Sequence, residues 1–331
     1  MKKKLLILFL CFFCSVCAVP NRIGGLSVDA ASDISLIPLG DIVAIHMQTD
    51  GLLCLGFCDV GGVCPAKEAG LRPGDRILSA DDKPIHSAAD FSASIDKKEA
   101  VRLLVARAEE TFSATLTPTI SSGQAFIGMW VREDLSGVGT LSFYNPKDSS
   151  FVALGHSVTD PDLCVRLPVR AGKIYPAKLL SVQKGIRGTP GEILAARTPT
   201  ARPIGEIHAN QSFGIFGTYE APINSTAYPI STPTIGKATL LSQISGETKA
   251  YEIEIKKLFE SPKASGKDFE LLVTDPELLH LTGGIIRGMS GSPILQNGRI
   301  VGAVTHVFVN DPTRGYGIFI ENMLAEAEKI K

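Results

Sequence analysis

The chain has 331 residues, 44% of them hydrophobic and 20% charged, with a formal net charge of −1. That is the balance of an ordinary globular protein of two or three domains, and the lack of a basic block argues against nucleic acid as a main partner. The 32 glycines and 20 prolines are spread along the chain and favour a turn-rich, mainly β protein over a helical bundle.

The first twenty residues differ from the rest. Lys2, Lys3 and Lys4 precede a mostly apolar run from Leu5 to Val19, closed by Pro20. A basic start and a short apolar run read as an export segment, either a signal peptide cut near Val16-Cys17-Ala18 or a retained anchor. As a helix the run spans about 22 Å, short of the ~30 Å hydrocarbon core. In both cases the lysines stay inside and the body crosses the membrane. A linker, residues 21–32, follows. Cys54, Cys58 and Cys64 lie close enough in sequence for one disulfide in an oxidising compartment, or stand with Cys164 as plain thiols.

Residues 33–118 read as a first folded unit. A Pro-Leu-Gly turn leads into the β-branched run Ile42–Ile45, and Asp50-Gly51 predicts a hairpin into Leu52–Phe57. Ala66–Ala69 makes one helical turn ended by Gly70, and Ile77-Leu78 begins a strand. Ser87 caps a helix through Ser94, with Asp90 three residues on, and Val101–Ala106 and Thr111–Leu116 make a last strand pair. The run AGLRPGDRILSADDKPI resembles a PDZ domain, a module that binds a peptide as an added strand. The resemblance implies a peptide-binding turn at Leu39, Gly40 and Asp41, with the strand from Ile42 receiving the ligand. The alternative is a small β domain that only packs on its neighbour.

Residues 119–331 show many short apolar runs between Gly and Pro, the pattern of a closed β barrel or a pair of barrels. No long amphipathic helix is expected before the last ten residues, Asn322–Lys331. No phosphate loop or metal-ligand cluster is present, so no cofactor and no metal is implied. In RGMSGSPI, residues 287–294, Ser290 sits in a glycine-flanked turn. Such a turn can expose a nucleophilic Oγ and let the Gly288 and Ser290 N–H groups converge as an oxyanion hole. Ser292, held before Pro293, is the weaker candidate. Of six histidines, His156 is best placed to be the base, where an apolar strand stops at Gly155. His306 lies within the strand VGAVTHVFV, while His46, His86, His208 and His280 lie farther from such a setting. For the carboxylate that orients the base, Asp160, Asp162, Asp268, Asp275, Glu192 and Glu206 stay open.

The stretches ALGHSVTD, GIFGT, TDPELL, GGIIRGMSGSPILQNG and VGAVTHVFVNDPTRGYG, in this order, resemble the stage IV sporulation protein B peptidases. The resemblance implies a PDZ-like domain followed by a chymotrypsin-like double β-barrel, residues 119–331, behind the N-terminal apolar export segment. It implies a serine endopeptidase with His156, Asp275 and Ser290 as its triad. It further implies action at a membrane surface between the two forespore membranes. There such enzymes cleave a protein regulator of a membrane-embedded metalloprotease that activates a late sigma factor. Self-cleavage within VPNRIGGLSVDAASD, residues 19–33, belongs to the same implication. The competing classes are a non-catalytic PDZ-bearing adaptor of a membrane complex and a general quality-control serine protease.

Overall fold

The computed structural model describes residues 34–330 apart from 122 and 260–265. The leader, the linker and the expected self-cleavage stretch thus lie outside the described residues. No helix among the described residues is long and apolar enough to cross a membrane.

Strand β1 (Ser35–Pro38) turns into β2 (Ile42–Phe57), a strand of 16 residues. A small unit follows: α1 (Pro65–Glu68), β3 (Arg76–Ala80), β4 (Lys83–Pro84), α2 (Ala88–Ile95), β5 (Val101–Arg107), β6 (Glu110–Leu116) and the hairpin of β7 (Thr119–Ser121) and β8 (Gln124–Phe126). The expected cap of α2 is present: the Ser87 hydroxyl accepts the Asp90 N–H at 3.0 Å, and the Asp90 carboxylate accepts the His86 N–H at 3.1 Å. Leu52, Ile77, Ile85, Phe91, Leu103 and Leu116 bury together as this unit's own core.

Strand β9 (Met129–Asn145) explains how the unit is attached. Its first residues, Met129–Arg132, pair with Leu53–Phe57, and Asp134–Thr140 pair with Gln48–Ile42. The Asp50-Gly51 hairpin does not form, because one continuous partner holds both halves of β2. Gly51, at φ +85°, is absorbed where the register shifts. The PDZ-like unit therefore hangs from two long strands that continue into the next module.

That module is a barrel of six strands. β10 (Ser150–Ala153), β11 (Val169–Gln183), β13 (Gly205–Gln211) and β14 (Gly214–Tyr219) join β2 and β9, and the β2–β9 pairing closes the ring. β12 (Glu192–Arg197) pairs with the far half of β11, and β15 (Tyr228–Pro229) pairs with β1. Val43, Ile45, Met47, Leu141, Phe151 and Ile207 fill it. A second closed barrel runs β16 (Gly236–Ser242), β17 (Lys249–Leu258), β18 (Phe269–Val273), β19 (Pro293–Gln296), β20 (Arg299–Val307) and β21 (Arg314–Phe319). α3 (Pro276–Thr282) lies between β18 and β19, and α4 (Ile320–Glu328) ends the described chain.

Two expectations change. Residues 35–50 belong to the first barrel, so the boundary of the PDZ-like unit at 33 moves to about 52, and its end moves from 118 into β9. The supposed ligand turn at Leu39, Gly40, Asp41 and Ile42 is also closed. Leu39 and Gly40 N–H groups donate to Ser142 and Leu141 carbonyls, and Ile42 N–H donates to Gln243 Oε1 at 3.0 Å. Asp41 accepts the Thr248 hydroxyl at 2.7 Å, and burial raises its pKa. The strand from Ile42 has β9 on one edge and β11 on the other, leaving no edge for a peptide.

Candidate active site

On the first barrel, β10 ends in a sharp bend. Leu154 and Gly155 both take positive φ, +75° and +69°, and this turns the chain out of the sheet at His156. Such a backbone is costly for leucine and persists only because its surroundings hold it. Those surroundings are polar and buried. Asn210 accepts the Val158 N–H at 2.8 Å and donates to the Val158 and Leu167 carbonyls. Asp160, fully buried, pairs with Arg132 of β9 and accepts the N–H groups of Asp162 and Leu163. His156 Nδ1 lies 2.9 Å from the Ser157 carbonyl oxygen, which can only accept. The proton is therefore on Nδ1, and Nε2 carries the free lone pair. Burial pushes the His156 pKa below the usual imidazole value, so the ring is kept neutral and ready to accept.

On the second barrel, Ser290 sits in the turn before β19. Thr140 of β9 clamps that turn across the seam. Its hydroxyl donates to the Gly288 carbonyl at 2.7 Å, and its N–H donates to the Ser290 carbonyl at 3.3 Å. Gly291 presses so closely on β9 that a Cβ there would overlap the Thr140 carbonyl oxygen and the Leu154 nitrogen, and its φ is +98°. Among the described residues, the N–H groups of Gly288 and Ser290 donate to no protein acceptor. The Ser290 hydroxyl donates to the Thr305 carbonyl of β20 at 2.7 Å. Among the described residues no hydrogen bond joins it to an imidazole.

His156, Gly288 and Ser290 line one cleft of about 320 Å³ between the barrels. Its walls are largely apolar, with Ile45, Met47, Leu135, Val138 and Leu154, and Arg287 stands at its side. The sequence-predicted histidine and serine are thus brought together, with two uncommitted backbone donors beside them. This is the equipment of acyl transfer: a hydroxyl, a neutral imidazole and unpaired N–H groups.

Residues 123–324 match the family model described as SpoIVB peptidase S55. The chain belongs to the SpoIVB peptidase S55 family. It is a serine peptidase, and residues 59–107 match a PDZ domain model. No curated protein matches the chain. Two solved structures are similar to parts of it. The PDZ domain of the SdrC-like protein Lmo2051 from Listeria monocytogenes is 23% identical, covering 25% of this chain and 87% of that one, with a TM-score of 0.22. The inactive form of a serine-to-alanine mutant of Rv3671c from M. tuberculosis H37Rv is 12% identical, covering 58% of this chain and 81% of that one, with a TM-score of 0.33.

The third expected member of this S55 peptidase's triad is not with the other two. Asp275 is the N-cap of α3, accepting the Leu278 N–H at 2.9 Å and the Glu252 N–H at 3.2 Å. Both its oxygens hold backbone, not His156. Three of the other candidate carboxylates make side-chain bonds elsewhere. Asp160 and Asp162 both pair with Arg132, and Asp268 accepts Phe319 N–H and an Asn322 Nδ2–H through Oδ2 alone, its buried Oδ1 having no partner among the described residues. Glu206 pairs in register with Lys173 and Thr218 inside the first barrel's wall, and Glu192 forms a backbone bridge with Arg287. Among the described residues no carboxylate bonds to His156 or His306. Sequence reasoning missed Thr140, Asn210 and Arg132. Each acts through a contact distant in sequence, and none stands in a motif.

Proposed function

We propose that Ser290 is the nucleophile of this serine peptidase, His156 its general base, and the N–H groups of Gly288 and Ser290 its oxyanion hole. The observation that carries this reading is the shared cleft, which sets the hydroxyl, the Nε2 lone pair and two free N–H groups at one seam. Ser290 first turns its hydroxyl from the Thr305 carbonyl to His156. The proton passes to Nε2 as Oγ bonds to the substrate carbonyl carbon, and the carbonyl electron pair moves onto oxygen, held by the two N–H groups. His156 returns the proton to the leaving amine, and water repeats the cycle on the acyl-enzyme. A fluorophosphonate probe tests this on the full chain. Labelling lost in Ser290→Ala and strongly slowed in His156→Ala supports it; labelling retained by Ser290→Ala rejects it.

The family and the PDZ match support a finer role. The protein is an exported endopeptidase of sporulation, held at or released from the membrane by its apolar leader. It works between the forespore membranes on a regulator of the membrane-embedded protease that activates a late sigma factor. A Ser290→Ala copy replacing the wild type abolishes a late-sigma reporter if this is right and leaves it intact if it is not.

Peptide capture by the PDZ-like unit moves to the other side of its sheet. Among the described residues Met129–Arg132 pair with β2 on one edge only, and α2 lies alongside, joined by the Glu133 carboxylate accepting the Ala88 N–H at 2.6 Å. The turn before this edge contains Gly128 at φ +68°, and Phe126 and Trp130 are 40% and 64% exposed. A free strand edge with apolar side chains beside a helix suits strand addition by a peptide. Trp130 is the only tryptophan of the chain. Its emission should shift to the blue on titration with peptides ending in an apolar residue. An unchanged spectrum across such peptides places capture elsewhere.

A further inference from the structure

β12 has a second neighbour. One of its edges pairs with β11, and Glu192 forms a parallel bridge to Arg287 of the second barrel. The Arg287 N–H donates to the Gly191 carbonyl at 2.9 Å, and the Ile193 N–H donates to the Arg287 carbonyl at 2.9 Å. The hairpin that joins β11 to β12 is seated on the same barrel. Gly185 N–H donates to the Thr282 carbonyl and Gly188 N–H to the Val309 carbonyl, both at 2.8 Å. A Cβ on Gly283 would overlap the Gly185 carbonyl oxygen. An arm of the first barrel thus reaches across the seam and grips the chain just before Ser290. The peptide joining Arg287 to Gly288 is trans and planar, so its C=O and N–H point opposite ways. Ile193 holds the carbonyl. The Gly288 N–H therefore points away from β12, and among the described residues it meets no acceptor. The next N–H, that of Met289, is taken by the Ile286 carbonyl at 3.2 Å. Gly288 is also tightly packed: a Cβ on it would lie 2.9 Å from Ile193 Cβ, and its carbonyl accepts the Thr140 hydroxyl at 2.7 Å.

We propose that the backbone N–H of Ile193 latches the oxyanion hole, making Ile193 a positioning residue that acts through the Arg287–Gly288 peptide. This rests on the reading of Ser290, Gly288 and His156 given above. A donor aimed at the developing oxyanion helps only if it already points there when the reaction starts. Turning the Arg287–Gly288 peptide over would put a carbonyl oxygen where the oxyanion must sit and remove one of the two donors. Here that turn breaks the bond to Ile193 and strands its N–H on a residue that is only 3% exposed. A buried N–H without an acceptor is unfavourable, so the latch holds the peptide in its donor-out orientation. The first barrel thus contributes to both halves of the site. It carries His156 on one loop and sets the Gly288 donor from β12.

The experiment follows fluorophosphonate labelling of the full chain against probe concentration and pH, which separates the maximal labelling rate from the apparent affinity. As Ser290 Oγ bonds to phosphorus and fluoride leaves, the phosphonyl oxygen takes the place of the oxyanion. Ile193→Pro removes the N–H, whereas Ile193→Ala keeps it and trims the buried side chain. In Ile193→Pro the maximal rate is expected to fall by about 100-fold, the lower end of the loss that follows removal of an oxyanion donor. Apparent affinity and the acid limb of the pH profile should match the parent, because neither the cleft walls nor His156 is altered. Ile193→Ala should keep most of the rate. If proline lowers the melting temperature, the α-hydroxy acid analogue of isoleucine placed at position 193 turns the amide into an ester and removes the same N–H. The slow rate should then recur with the fold intact. The proposal is overturned if the folded chain lacking this N–H labels at the parental rate. It is equally overturned if Ile193→Ala is slowed as much as Ile193→Pro, which assigns the effect to packing, or if the loss lies in affinity and not in maximal rate. Failure of the underlying reading looks different: Ser290→Ala would then label as the parent does.

Discussion

The two barrels meet at one seam but hold their halves of the site by different means. The first barrel presents His156 on an irregular loop, and what fixes that loop is buried polar chemistry: Asp160 on Arg132, and Asn210 bonded to both sides of Val158. The second barrel presents Ser290 on a tight turn fixed by sterics and backbone bonds, above all the close approach of Gly291 to β9. The serine side should therefore fail by clash, and the histidine side by loss of charge pairing or by protonation.

The largest effect is expected at the serine side. In Gly291→Ala the new methyl overlaps the Thr140 carbonyl oxygen, and a left-handed φ of +98° adds backbone strain. The turn must move, at a cost of about 3 kcal/mol or more. Urea unfolding should show that loss, and fluorophosphonate labelling should vanish even in molecules that remain folded. A variant that labels normally would mean that the turn is not held by its fit against β9.

The matching test on the histidine side is Arg132→Ala. It leaves the carboxylate of Asp160 buried without its cation, which costs about 3–5 kcal/mol in comparable cases. Urea unfolding should show this, and a second change, Asp160→Asn, should recover part of it. Asp160 also holds the N–H groups of the loop that follows His156, so labelling of the molecules that stay folded should slow as well. Parental labelling of those molecules would mean that the Arg132–Asp160 pair does not hold the His156 loop.

Acid sharpens the comparison without mutation. Burial lowers the folded-state pKa of His156, and His306 is pushed down to about 4. The unfolded chain, with imidazoles near 6.5, then binds more protons than the folded one between about pH 6.5 and 4. Stability is full above the unfolded value and falls as pH drops through that window. The melting temperature should decline from pH 7 to pH 4.5, and less steeply in His306→Gln. An equal decline in that variant would assign the acid sensitivity to other groups.

The sequence made the parts legible and hid the way they are joined. Ser87 and Asp90 announced α2, the apolar run stopping at Gly155 announced the bend before His156, and the glycines at 288 and 291 announced the turn that carries Ser290. These are local signals, carried by residues within a few positions of one another. Asp50-Gly51 misled because turn propensity is also local, whereas β9 contributes one uninterrupted partner from more than seventy positions away. The same distance hid the nesting of the PDZ-like unit, and with it the closed edge of Ile42–Ile45. His306 could not be assigned a face by alternation, since the bulge before it breaks the period of two.

Asp275 carries the smallest expected effect. Its motif, Thr-Asp-Pro-Glu, is also a helix start: an N-cap aspartate with proline at the first helical position and an acid in the first turn. If capping is its whole role, Asp275→Asn is nearly silent, because asparagine caps about as well as aspartate. Melting temperature and labelling rate should both stay close to the parent. If it oriented the base instead, the same isosteric change would cost on the order of 10⁴ in rate, as it does when a triad aspartate is replaced. The two outcomes are separated by far more than any error of measurement. A single labelling time course on Asp275→Asn therefore decides whether Asp275 serves the S55 peptidase site as the carboxylate that orients the base or only as the cap of α3.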